Sequence, residues 1–182
     1  KFPQSIAHLH NDYGQYQEPE LMVHDVFYAL DELFQLSAAS IDQVLELLED
    51  RIRRLMLGQS PTELPELLLA KAYVDDLRRS VRDTLDIVRH RGSSHWPRTK
   101  DSRLARKAER AANDLESKYV SLHRRCEECS DQCSNGITIL ANAGAREQTQ
   151  KAIEQTDKVT KLTFLAYVFV PMSFSASFFG MN

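Results

Sequence analysis

Between Thr99 and Pro171 the chain carries no proline, and an apolar stripe at steps of three and four runs through most of that stretch. A helix of some 80 residues rises about 120 Å at 1.5 Å per residue, far more than the width of a compact domain this small. The spacing therefore predicts a rod that projects from whatever packs around it. The stripe reads Leu104, Ala108, Ala111, Leu115, Tyr119, Leu122, Cys126, Cys129, Cys133, Ile137, Leu140 and Gly144. It continues more weakly through Gln148, Ala152, Thr156, Val159 and Leu162. Gly136 and Gly144 work against continuity, since each costs roughly 1 kcal/mol relative to Ala inside a helix.

Two shorter helices are expected before the rod. From Leu21, apolar residues at Val26, Leu30, Leu33, Ile41, Val44, Leu48, Ile52 and Leu55 recur at near-helical spacing until Gly58 and Pro61 end the pattern. A second helix begins near Pro65, where proline suits a first turn. Its stripe of Leu67, Ala70, Val74, Leu77, Val81, Leu85 and Val88 is close to a heptad, the pattern of a helix lying along another helix. Gly92 to Pro97 supplies the turn into the rod. The division that follows is a loop or the tail of a missing domain over 1–20, two antiparallel cytoplasmic helices over 21–98, a stalk helix over 99–161 and a transmembrane helix over 162–182. The fold class is all-α, a long hairpin packed on a very long helix. Six Gly and six Pro among 182 residues agree with that.

The segment Leu162 to Asn182 contains no charged residue, while Lys151, Glu154, Asp157, Lys158 and Lys161 crowd the turns before it. About 20 helical residues cover a hydrocarbon core of roughly 30 Å, so the run is long enough to span. Lysines at its start favour a cytoplasmic or matrix side for everything upstream. A buried core helix is the competing reading, because Pro171, Thr163, Ser173, Ser175 and Ser177 dilute the hydrophobicity. Leu162, Ala166, Val170, Ser173 and Ser177 nevertheless share one face, and small or weakly polar residues within a span face a partner helix or water. The chain opens on Lys1 and stops directly after its most apolar stretch, so it is expected to be a segment of a longer polypeptide.

These residues carry a resemblance. The run from Lys158 through Asn182 resembles the first membrane helix of the CorA magnesium-channel family, with a Lys-x-Leu-Thr entry, a mid-helix Pro171 followed by a small hydroxyl residue and Phe, and a terminal Gly-Met-Asn. The resemblance implies a homopentamer in which five copies of this helix line a pore for Mg²⁺, the transported ion, with no organic cofactor. Gly180, Met181 and Asn182 match the signature at the outer mouth, where Asn182 would hold the hydrated ion through its waters. Mg²⁺ gives up water reluctantly, so neutral amide oxygens suit it. Thr156, Val159, Leu162, Ala166, Val170, Ser173 and Ser177 match the pore-facing line, and Val159 and Leu162 its apolar constriction. The plasma membrane is favoured over the mitochondrial inner membrane. Two departures stand out: Phe179 replaces the common Tyr, and Lys118 to Arg125 lacks the acidic residues with which family members sense cytosolic Mg²⁺.

Other constellations are weaker. His123, Cys126, Cys129 and Cys133 invite a zinc site, but the cysteines occupy the apolar stripe and one helix cannot wrap an ion tetrahedrally. Three cysteines, an odd number within eight positions, do not form a secreted disulfide framework. The basic run Arg98, Lys100, Arg103, Arg106, Lys107 and Arg110 reads as a solvated face, and a net charge of -3 gives no support to nucleic-acid binding. Asp42, Glu46, Glu49, Asp50, Asp75, Asp76, Asp83 and Asp86 likewise read mostly as outward-facing charges. No nucleophile–base pair or phosphate-cradling loop is present, so no enzyme is expected. The alternative to a channel is a membrane-anchored coiled-coil scaffold that keeps the architecture without conducting.

Overall fold

The computed structural model describes residues 13–15, 17–58 and 60–180. Among them every regular element is helical: α1 Pro19–His24, α2 Val26–Ala29, α3 Asp31–Gly58, a 3-10 turn Pro61–Glu63, α4 Leu64–Arg89 and α5 Ser102–Phe179. Helix α5 has 78 residues, against 28 in α3 and 26 in α4. The long helix expected from proline spacing is therefore one unbroken element, begun by Asp101, whose carboxylate accepts from the backbone N–H of Arg103 and Leu104.

The first helix departs from expectation. Helical pattern begins near Leu21, but the backbone turns extended at Asp25 (φ -137°, ψ 105°), where the carboxylate caps α2 by accepting from Tyr28 N at 2.9 Å. Leu30 then separates α2 from α3. Asp in the middle of an apolar-periodic run is a competitor for backbone N–H groups, and here it breaks the helix. The expected stripe of α3 holds in part: Ile52 and Leu55 are buried and Ile41 and Leu48 pack at the margin, but Ala38 and Leu45 are buried in addition, whereas Leu33 and Val44 are 40% and 47% exposed. Two apolar residues side by side leave the phase of a helix undecided until a partner helix selects one face.

In α4 the expected stripe holds: Leu67, Ala70, Val74, Val81, Leu85 and Val88 are buried, with Leu77 packed at the margin. The turn after α4 needs glycine. Gly92 has φ +72° and a Cβ there would lie 2.2 Å from the Trp96 ring. Contacts set the topology. Leu67 meets Gly136, Ser130 bonds Asp75, and Arg89 pairs with Glu116, so α4 runs antiparallel to α5. Tyr119 bonds Phe34 O, and Arg125 reaches Asp42 and Glu49, so α3 runs parallel to α5. The hairpin thus lies against the first half of α5, and its tip reaches Gly144, where a Cβ would be 3.5 Å from Pro61.

The core lies along α5 in two clusters. The main seam takes Ala112, Leu115, Tyr119, Leu122, Cys126, Cys129, Cys133 and Leu140 from α5, and a smaller cluster sets Leu104 and Ala108 against Leu21 of α1. The expected Ala111 is replaced by Ala112, which keeps a 4, 3, 4, 3 step into Leu115 and Tyr119. Gly136 is not a flaw in this helix. It is buried, and a Cβ there would stand 2.9 Å from Leu67 Cδ2 and 3.3 Å from Met56 Cγ. The missing side chain lets the tip of the hairpin approach the rod.

Candidate pore helix

From Ala145 to the end of α5 the side chains are exposed throughout wherever they are described. An 18-residue window here has mean hydropathy 1.4 and is wholly unburied, making α5 long and apolar enough to cross a membrane. Phe164, Tyr167, Phe174 and Phe179 are each 70% exposed or more. A contiguous apolar surface of this size is not stable in water. The competing reading, a helix folded into the core of a soluble protein, is contradicted by that exposure within the chain.

The helix continues through Pro171. Five of its hydroxyls bond the helix backbone: Thr156 donates to Ala152 O, Thr160 to Thr156 O, Thr163 to Val159 O, Ser173 to Val170 O and Ser175 to Pro171 O, all at 2.8–2.9 Å. A polar hydrogen that already has a partner can enter hydrocarbon at far smaller cost. The turns before the span carry the pairs Glu147–Lys151 and Asp157–Lys161, both at 2.7 Å.

All seven expected pore residues lie on this bare stretch. Val159, Leu162, Ala166, Val170, Ser173 and Ser177 fall within roughly a quarter of the helix circumference at 3.6 residues per turn, with Thr156 just outside that sector. Val159, Leu162 and Val170 are 61%, 65% and 66% exposed. Gly180 ends the helix with its N–H on Ala176 O. Met181 and Asn182 lie outside the described residues.

Below the span, the packed half of α5 contains links that the sequence concealed. The Arg125 guanidinium bonds both Glu49 oxygens at 3.1 Å and also reaches Asp42. Ser130, 4% exposed, donates to Asp75 at 2.7 Å, and Lys71 bonds the other oxygen of that carboxylate at 2.7 Å. The Lys71 hydrogen bond, with that of Ser130, holds the Asp75 carboxyl below its ordinary range. Asp42, Glu49 and Asp75, expected to face outward, instead bind across helices. Lys118 and Arg125, in the stretch lacking family acids, line a groove of about 330 Å³ against Gln35 and Asp42 of α3. Cys126, Cys129 and Cys133 are free and buried in the seam. Burial pushes the Cys126 thiol up, and the hydrogen bond with Cys133, then burial, raises that of Cys129. Such thiols act as small core residues. Among the described residues no group of three or more His, Cys, Asp and Glu side chains is placed to hold a metal ion.

A packed helical hairpin on a rod whose bare far half ends in a charge-free apolar run defines an all-α chain with one helix long and apolar enough to cross a membrane. The chain belongs to the CorA-like Mg²⁺ transporter family, whose description it matches over residues 2–182. Proteins of that family are membrane transporters of Mg²⁺ rather than enzymes, and they generally form homo-oligomers. No curated protein and no solved structure matches the chain.

Proposed function

We propose that this chain supplies the stalk and first pore helix of a homopentameric channel for Mg²⁺, with residues 99–161 as stalk and 162–182 as the span. The observation that carries the reading is the bare half of α5. It is rigidly continuous with a packed half, and its small or weakly polar face is aligned along about five turns. Five such faces around one axis give a narrow lining of Ser177, Ser173, Val170, Ala166, Leu162, Val159 and Thr156. Leu162 and Val159 form the apolar constriction, where a narrow pore closes by losing water. Gly180, Met181 and Asn182 form the outer mouth, and the Asn182 amide oxygens receive Mg²⁺ with its hydration shell in place. Lysines at 158 and 161 support a cytoplasmic or matrix side for the hairpin, and this reading takes the plasma membrane over the mitochondrial inner membrane.

The test is Mg²⁺ uptake in cells lacking their own uptake system, comparing the full-length protein with Asn182→Ala. Growth at low Mg²⁺ is expected with the first and not with the second. Equal rescue by both removes Asn182 from the mechanism. Absence of rescue by the correctly inserted wild type instead favours a membrane-anchored scaffold that does not conduct.

A further inference from the structure

Three cysteines and a methionine lay a strip of sulfur along the seam between α5 and the hairpin. Cys126, Cys129 and Cys133 are all buried there. Met56 of α3 continues the strip, because its Sδ would stand 3.6 Å from a Cβ on Gly136, one turn beyond Cys133. The transport reading uses none of these residues.

Within the strip one pair is joined directly. Side chains four residues apart on a helix are neighbours on the same face. Across that interval the Cys129 and Cys133 thiols share a hydrogen bond, which brings their two sulfurs to one place. The shared proton leaves the sulfurs unequal: the bond pushes the Cys129 thiol up and brings the Cys133 thiol down, and the Lys71 ammonium of α4 adds to the second effect. Lys71 is itself held at the seam, by Asp75 at 2.7 Å and by the Ser130 hydroxyl at 3.4 Å. A cation of the protein therefore stands beside a sulfur with thiolate character.

Two sulfurs meeting at one place narrow the choice of ion. Zn²⁺ asks for four donors and Mg²⁺ for an octahedron of oxygens. Among the described residues no group of three or more His, Cys, Asp and Glu side chains is placed to supply such a set. Soft thiolates select Cu(I), a closed-shell ion that two thiolates can hold in a line. Such a complex keeps no water, which suits a pair buried in an apolar seam.

We propose that Cys129 and Cys133 bind one Cu(I) ion between their sulfurs, in the packed part of the stalk and apart from the pore helix. Loading is an exchange of ions: Cu⁺ and two thiols give a bis-thiolate complex and release two protons. The complex carries one negative charge, and Lys71 faces it. The ion is chemically unrelated to the one the family transports.

The test uses the full-length protein in detergent, without oxygen and with ascorbate as reductant. Cu(I) is supplied as its coloured bicinchoninate complex, and loss of colour counts the ions transferred. Wild type is expected to take up one more Cu(I) per chain than the double variant Cys129→Ala/Cys133→Ala, and Cys126→Ala is expected to match wild type. If circular dichroism shows the double variant to be unfolded, alkylation of wild type by iodoacetamide decides instead, read by peptide mass spectrometry. Cu(I) is then expected to slow labelling of Cys129 and Cys133 about tenfold more than that of Cys126. Equal uptake by wild type and a folded double variant, or labelling of all three cysteines slowed alike, overturns the proposal. Either result leaves the transport reading standing, because neither measures flux.

Discussion

The two halves of α5 have the same backbone and opposite surroundings. From Ser102 to Gly144 every three to four residues one side chain disappears into the seam with α3 and α4, while polar groups cover the rest. From Ala145 onward every described side chain is exposed. Helicity in the first half is supported by packing, as most helices in water are. The second half has no such packing, and over its charge-free run a backbone in hydrocarbon has to satisfy its own hydrogen bonds, which a helix does. One element can therefore be stable for two unrelated reasons, and mutations in the two halves should fail differently.

The sharpest way to separate them is to remove the largest side chain of the seam. Tyr119 is fully buried and its hydroxyl donates to Phe34 O at 3.1 Å. Tyr119→Ala is expected to destabilise the hairpin–stalk bundle by about 3–5 kcal/mol, as for other large-to-small aromatic deletions. Thermal unfolding by circular dichroism in detergent should show a lowered first transition, with membrane association intact. The opposite experiment places a charge on the bare half. Val168→Asp, on the face opposite the proposed pore line, is expected to cost about 2.5–3.5 kcal/mol of insertion and to leave the bundle's melting unchanged. Alkaline extraction of membranes reads it, and retention equal to wild type would mean that residue 168 does not sit in hydrocarbon.

A smaller contrast lies between two glycines within the packed half. Gly136→Ala drives a methyl into Leu67 and Met56, and overpacking of that kind costs about 1–3 kcal/mol. Gly144→Ala meets only ordinary contact with Pro61 and gains helix propensity of about 1 kcal/mol. The two variants should move the same melting transition in opposite directions. Smallest is the pH effect at Asp75. Its folded carboxyl is held below the unfolded value, so its contribution is present above about pH 4, the ordinary carboxylate range, and is lost as pH falls through the folded value. Between about pH 5 and about pH 3 wild type should lose its stability advantage over Asp75→Asn. A constant difference across that window would mean that the Lys71–Asp75–Ser130 link adds nothing through its charge.

Much of this was legible before any coordinates. The proline-free stretch, the α4 stripe and the charge-free run ending in Gly-Met-Asn together gave the all-α class, the long rod and the family. Each is a one-dimensional pattern whose physics is local: helix period, helix breakers and hydropathy. The residues proposed to line a pore could be placed on a common face from spacing alone, because helical phase is fixed once the helix is continuous.

What spacing could not decide was which of two neighbouring apolar residues turns inward. In α3 the choice of Leu45 over Val44, and in α5 of Ala112 over Ala111, was made by the partner helix. Nor could it tell that Asp25 caps instead of continuing a helix, that Gly136 marks an approach between helices, or that Asp42, Glu49 and Asp75 reach across to α5. The sequence determined where helices exist and which one suits a membrane, since those depend on neighbours along the chain. Tertiary structure decided the phase and the cross-helix charges, since those depend on residues 55 to 83 positions apart meeting in space.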